Sequence, residues 1–86
     1  MKPLEGRPEI EYPCPWTFKI IGQVEEDIRQ AVATIVEGHA YELTFSNQSA
    51  RGKYCSLNLD MVVVDEPHRL NTFEALMKHH SIQIVL

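Results

Sequence analysis

Two rhythms of apolar and polar residues run along this chain, one of period two and one near 3.6. Trp16, Phe18 and Ile20 alternate with Thr17, Lys19 and Ile21, the pattern of a strand with one buried face, and Gly22 closes it. Val24, Ile28, Ala31, Val32, Ile35 and Val36 then recur at helical spacing. Glu25, Glu26 and Asp27 load the first turn with negative charge and Gly38 stands where a C′ residue belongs, so the spacing predicts a helix over Val24 to Glu37. Tyr41, Leu43 and Phe45 alternate with Glu42, Thr44 and Ser46, and the polar stretch from Asn47 to Gly52 marks a hairpin loop. In the second arm Cys55, Leu57, Leu59, Met61 and Val63 share the inner face, and Tyr54, Ser56, Asn58, Asp60 and Val62 the outer one.

A second helix follows. Asp65 suits its N-cap, Pro67 its first turn, and Lys78, His79 and His80 its negative C-terminal end, while Leu70, Phe73, Leu76 and Met77 form its apolar stripe. Ile82, Ile84 and Leu86, alternating with Gln83 and Val85, predict a last strand over Ser81 to Leu86. The order is therefore β-α-β-β-α-β. Two right-handed β-α-β halves interleave most simply as a ferredoxin-like α+β fold: one antiparallel sheet of spatial order 4-1-3-2 with both helices on one face. The other face is left for solvent or a partner.

Composition narrows the picture. Eighty-six residues suffice for one domain, and 44% hydrophobic with 23% charged residues is the balance of a folded globular protein. Four of the five prolines fall in the first fifteen residues, so residues 1–11 are expected to be a flexible tail and residues 12–86 the domain. The net charge of −4 provides no overall attraction to a phosphate backbone or an anionic membrane. No apolar run approaches a membrane span and the N-terminus lacks a signal-peptide layout, so a cytoplasmic protein is expected. Cys14 and Cys55 have no zinc-type or Cys-x-x-Cys spacing, and in a reducing compartment both are expected as free thiols.

The segment Tyr12-Pro13-Cys14-Pro15-Trp16-Thr17-Phe18-Lys19-Ile20-Ile21-Gly22 resembles the opening of the YbeD-like family of small bacterial proteins, in which aromatic-Pro precedes an aromatic-rich first strand ending in Gly. Ser49, Gly52, Tyr54 and Ser56 are similar to that family's hairpin, and the chain closes on the same Ile-Val-Leu strand. The resemblance implies the ferredoxin-like fold, with the architecture of the ACT regulatory domain, and implies no catalytic residues.

Candidate chemistry is sparse. His68 and His79 lie about 16 Å apart on one predicted helix and cannot share a metal. His39 and His68 fall at one end of the fold near Glu37, Asp65 and Glu66, where a metal or pH-sensing cluster is conceivable; exposed loop and helix-end residues are the plainer reading. Cys55 points inward as a small core residue, whereas Cys14 is the thiol with room for a redox role, although no Lys or His accompanies it. The antiparallel first and third strands put the two cysteines at opposite ends, which argues against a disulfide. After the first strand the loop Gly22-Gln23-Val24 runs into acids, unlike the phosphate cradle of acylphosphatases of this fold. Arg51-Gly52-Lys53-Tyr54 faintly resembles an RNA-recognition motif, but only Tyr54 would face outward and the net charge opposes it.

These readings favour a module with no catalytic residues, bound metal or cofactor. Protein contact or self-association is expected through the last strand's edge and the open face, with Gln83, Val85, Lys19, Tyr54 and Asn58 as the candidate binding residues. Small-molecule sensing of the ACT kind is the alternative, and a thiol redox protein or an RNA-binding domain lies further off.

Overall fold

The computed structural model describes residues 10–49 and 51–86, so the expected N-terminal tail falls outside it except for Ile10 and Glu11. Six elements follow one another: β1 (Cys14–Gly22), α1 (Glu25–Ile35), β2 (Tyr41–Gln48), β3 (Cys55–Val63), α2 (Glu66–Lys78) and β4 (Ile84–Val85). The four strands form one sheet in the order β2-β3-β1-β4, which is the predicted 4-1-3-2 arrangement read from the other edge. β1 and β3 pair antiparallel along their full length, from Cys14 opposite Val63 to Gly22 opposite Cys55. This register places the two cysteines at opposite ends of the central pair, and both are free.

Both helices lie against the face from which Phe18, Ile20, Leu57, Leu59, Met61 and Val63 project, and Ile28, Val32 and Leu76 meet these residues in the core. The helix ends follow the residues that cap them. At α2 the Asp65 carboxylate accepts the His68 backbone N–H at 2.9 Å and Pro67 occupies the first turn. After α1 the chain turns through Gly38 at φ +89°, in the left-handed region that glycine enters without a Cβ penalty. Gly22 meets a different demand. A Cβ there would lie 2.7 Å from the Ser81 carbonyl oxygen and 2.9 Å from Ile28 Cδ1, so its missing side chain lets the segment leading into β4 close against β1.

The last strand departs from expectation in length and phase. Only Ile84 and Val85 are in regular pairing, opposite Ile21 and Ile20. Residues directly opposite in an antiparallel pair share a face, so Val85 follows Ile20 into the core, where it is 4% exposed, and Ile84 turns outward with Ile21. Ile82 is also buried, and two inward residues three positions apart cannot belong to one regular strand. The chain slips by one residue between them, with the Gln83 N–H bonded at 2.8 Å to the carbonyl of Ile21, the residue that pairs with Ile84. The expectation that Val85 lies on the open face is thus overturned, and the short edge carries an irregularity at Gln83.

The helix α2 is rotated relative to its expected stripe. Thr72 and Leu76 point into the core, and the Thr72 hydroxyl donates to the His68 carbonyl at 2.7 Å. Leu70, Phe73 and Met77 remain exposed.

Candidate binding surface beside the last strand

The site builds up from Arg69. Its guanidinium stacks over the Trp16 ring, 4.5 Å from the centroid, and its Nε–H donates to the Tyr12 hydroxyl at 2.9 Å. These contacts tie the aromatic-Pro segment before β1 to the side of α2. Trp16 and Phe18 from β1, Arg69, Leu70 and Phe73 from α2, and Leu86 after β4 then enclose a mainly apolar cleft of about 240 Å³. Met77 continues the uncovered row of α2, and Leu86, 69% exposed, lies beside Leu70 and Phe73, whereas Ile84, 47% exposed, faces the open side of the sheet with Ile21. Lone exposed apolar side chains are ordinary, but a contiguous row beside an open strand edge marks a contact surface. The edge itself is open at one residue. Lys19 and Leu86 exchange two backbone hydrogen bonds, at 3.1 and 2.8 Å. By the alternation of an antiparallel ladder, Val85 next to it turns its own N–H and C=O away from β1.

The five binding residues expected from the sequence do not form one site. Lys19 and Asn58 pair across the open face and Tyr54 stands at its hairpin end, in a small recess with Ile21, Asn47, Ser49 and Ser56. The Ser49 hydroxyl accepts the N–H groups of Lys53 and Tyr54, each at 3.1 Å, and so shapes the loop that presents Tyr54. Gln83 lies at the other side of the domain, lining a polar recess with Gln23, Asp27, His80 and Ser81. Val85 contributes its backbone to the edge and its side chain to the core. The open face is crossed by a bond from the Thr17 hydroxyl to the Asp60 carboxylate and is more polar than the α2 flank.

Arg69 and the outward row of α2 were missed in the sequence for a definable reason. Leu70, Phe73 and Met77 form one helical row and Thr72 and Leu76 another, and periodicity alone does not say which row meets the sheet. The aromatic residues Tyr12 and Trp16 ahead of an arginine-bearing helix are the only local signal.

His39 and His68 do come together, with rings stacked at 4.6 Å between centroids. His68 Nδ1 accepts the Val64 N–H at 3.0 Å, which leaves Nε2 as its available nitrogen. Among the described residues no group of three or more His, Cys, Asp or Glu is placed to hold a metal ion. His79 and His80 stack likewise and, with Asp27, Gln30, Thr34 and Ser81, line a polar furrow of about 310 Å³ between α1 and the end of α2. Cys55 is buried, and burial, reinforced by the negative charge of Glu25, pushes its thiol pKa up, the opposite of what a nucleophile needs.

The fold and this flank define a small α+β protein with an open antiparallel sheet, two helices on one face and no helix, among the described residues, long and apolar enough to cross a membrane. The chain belongs to the DUF493 family, described as a protein of unknown function, whose model matches residues 7–86. It is 39% identical over 83 residues to a UPF0250 protein of Hahella chejuensis, covering 92% of this chain and 91% of that one. It is 34% identical over 73 residues to the uncharacterized protein Cj0253 of Campylobacter jejuni, covering 85% and 84%. Among solved structures it is similar to the solution structure of protein HP0495 from Helicobacter pylori, with a TM-score of 0.80, 26% identity and coverage of 93% of this chain and 88% of that one. The family and fold agree with the resemblance carried by the Tyr12–Gly22 segment and the hairpin.

Proposed function

We propose that the protein is a cytoplasmic, non-catalytic binding module that acts by protein contact through the flank formed by α2 and the β4 edge. The observation that carries this reading is the continuous apolar row Leu70, Phe73, Met77 and Leu86 beside the outward-facing backbone of Val85. Leaving such a row in water forgoes about 25 cal/mol per Å² of apolar surface, which a partner recovers on docking. The test is site-directed cross-linking in cells of its own species, with a photoreactive side chain at Phe73 on the flank or at Asn58 on the open face. Discrete adducts from position 73, lost on Leu70→Glu, support the reading. Adducts from position 58 alone would assign binding to the open face.

A second reading rests on the polar furrow at Asp27, Gln30, Thr34, His79, His80 and Ser81, which has room for a small polar ligand and fits a regulatory, ligand-sensing module. It predicts a ligand-dependent rise in melting temperature that Thr34→Trp abolishes.

A further inference from the structure

We propose that α2 is a pH-responsive helix, fastened to the sheet at both ends by neutral histidine rings and loosened at both when mild acid protonates them. The chain has four histidines, and all four stand in two stacked pairs, one at each end of this helix. His39 stacks with His68 at its start and His79 with His80 at its close, each pair 4.6 Å between ring centroids. In each pair one ring also holds the backbone of the turn that joins the helix to a strand. His68 Nδ1 accepts the Val64 N–H at 3.0 Å in the turn from β3, and His79 Nδ1 accepts the Ser81 N–H at 3.0 Å in the turn towards β4.

This shared arrangement fixes a protonation state. A nitrogen that accepts a hydrogen bond carries no hydrogen, so both rings are neutral, with their hydrogen on Nε2. An imidazolium carries hydrogens on both nitrogens and can accept neither bond. Proton uptake at His68 therefore sets a second donor against the Val64 N–H, and uptake at His79 does the same to Ser81. The ring must swing away, which leaves the amide to water and breaks the stack. Where both rings of a pair are protonated, like charges 4.6 Å apart add repulsion.

The charged surroundings differ at the two ends without changing that exclusion. His68 lies in the first turn of α2, whose positive end disfavours an imidazolium, while Asp65, Glu66 and, in the turn bearing His39, Glu37 favour it. Arg69, bonded to Tyr12, opposes it, and Cys14 and Tyr41 at the near ends of β1 and β2 are of types that ordinarily ionise well above this range. His79 and His80 lie at the negative end of α2 and share the furrow with Asp27 of α1, and both features favour an imidazolium. Lys78, paired with Glu74 at 3.3 Å, is the cation beside them, and residues 81–86 carry no ionisable side chain. These groups attract or repel the proton, yet none lets one nitrogen hold it and accept an N–H at the same time.

The element that acid acts on is the one presenting Leu70, Phe73 and Met77, whereas the β1–β3 ladder holds no histidine. The Asp65 cap and the buried Leu76 remain, so the turns loosen while the helix itself persists.

The test is an NMR titration of the full chain from about pH 7.5 to about pH 5.5, which spans the ordinary histidine range. At the upper limit the ring nitrogens of His68 and His79 should report the Nε2–H tautomer. As the rings take up protons, the protection of the Val64 and Ser81 amides, corrected for intrinsic exchange, should fall by about tenfold, the size of one net hydrogen bond. Leu57 and Leu59 in β3 should keep theirs. His68→Asn and His79→Asn each place an oxygen near the position of Nδ1 that accepts an N–H without titrating, so each should hold its own turn in acid and leave the other responsive. The wild-type titration decides even where a variant fails to fold. Amides at Val64 and Ser81 that ignore the titrating rings, an Nδ1–H tautomer at the upper limit, or an equal loss of protection through the whole sheet overturns the proposal. A response at one end alone overturns the two-ended device.

Discussion

The two edges of the sheet are handled in opposite ways. β2 offers an edge of eight residues, and it is blunted by three devices: a register shift between Phe45 and Asn47, a charged residue at Glu42, and the α1 side chain Arg29, whose guanidinium donates to the Leu43 carbonyl at 3.2 Å while held by Glu25 at 2.8 Å. β4 offers two residues with no charge on them, and the neighbouring helix adds apolar side chains where α1 adds a salt bridge. Proteins commonly shield long edges against unwanted pairing, so the long edge shielded by charge and the short one, irregular at Gln83 but uncharged, point to different uses. The inner face differs too. Tyr41, Leu43 and Phe45 pair with Met61, Leu59 and Leu57, yet Tyr41 and Phe45 stay exposed because α1 packs chiefly over β1 and β3. On the other side Val85, although it ends a shorter strand, is sealed in the core.

The sharpest way to break this comparison is a matched pair of substitutions. Val85→Asp buries an unpaired carboxylate and should cost about 3 to 5 kcal/mol or prevent folding, whereas Phe45→Asp on the half-covered β2 should cost about 1 kcal/mol; urea unfolding compares them. Equal costs would mean that β4 is no better packed than β2.

Next in size is Gly22→Ala, which pushes a Cβ against the Ser81 carbonyl and Ile28. Overpacking of this kind costs about 1 to 3 kcal/mol. The strain lies between β1 and the approach to β4, so amide exchange should accelerate at Gln83 and Leu86 while the β2–β3 ladder keeps its protection. Uniform acceleration would show that both edges open together.

A pH scan probes the centre between them, where Cys55 lies opposite Gly22 in one ladder and Gln48 in the other. Burial raises the folded thiol pKa, so on raising the pH the unfolded chain ionises first. Stability should hold below the ordinary thiol value of about 8.5 and decline as pH rises through the gap to the folded value. Cys55→Ala should remove that component of the decline. The smallest effect is expected for Arg29→Ala, at about 0.5 to 1 kcal/mol by thermal unfolding, because its ion pair is partly exposed; its sharper readout is a gain in aggregation through the uncovered β2 edge.

Much of this was legible in the chain because local chemistry and tertiary packing agreed. The alternation over Trp16 to Gly22 and Cys55 to Val63 selects a face, and the register then follows, since a slip of one residue would turn Leu57 and Leu59 to solvent. Asp65 and Gly38 mark helix ends by side-chain and backbone preferences that act within one turn. The candidate site was much less legible. Gln83, Lys19, Tyr54 and Asn58 were reasonable surface residues, but the structure scatters them over the open face, the hairpin and a polar recess. Arg69 acquires its role only when Tyr12 and Trp16 arrive from the other end of the chain.

By itself, then, the sequence determined the element order, the inner faces of β1 and β3, the helix caps and, through these, a four-stranded sheet with two helices, because each is set by side-chain period or by contacts within a few residues. Tertiary structure alone decided the phase of β4, where pairing with Ile20 draws Val85 inward, and which row of α2 meets the sheet. Both depend on how far a short element can rotate before it meets a neighbour distant in the chain, and no local pattern records that.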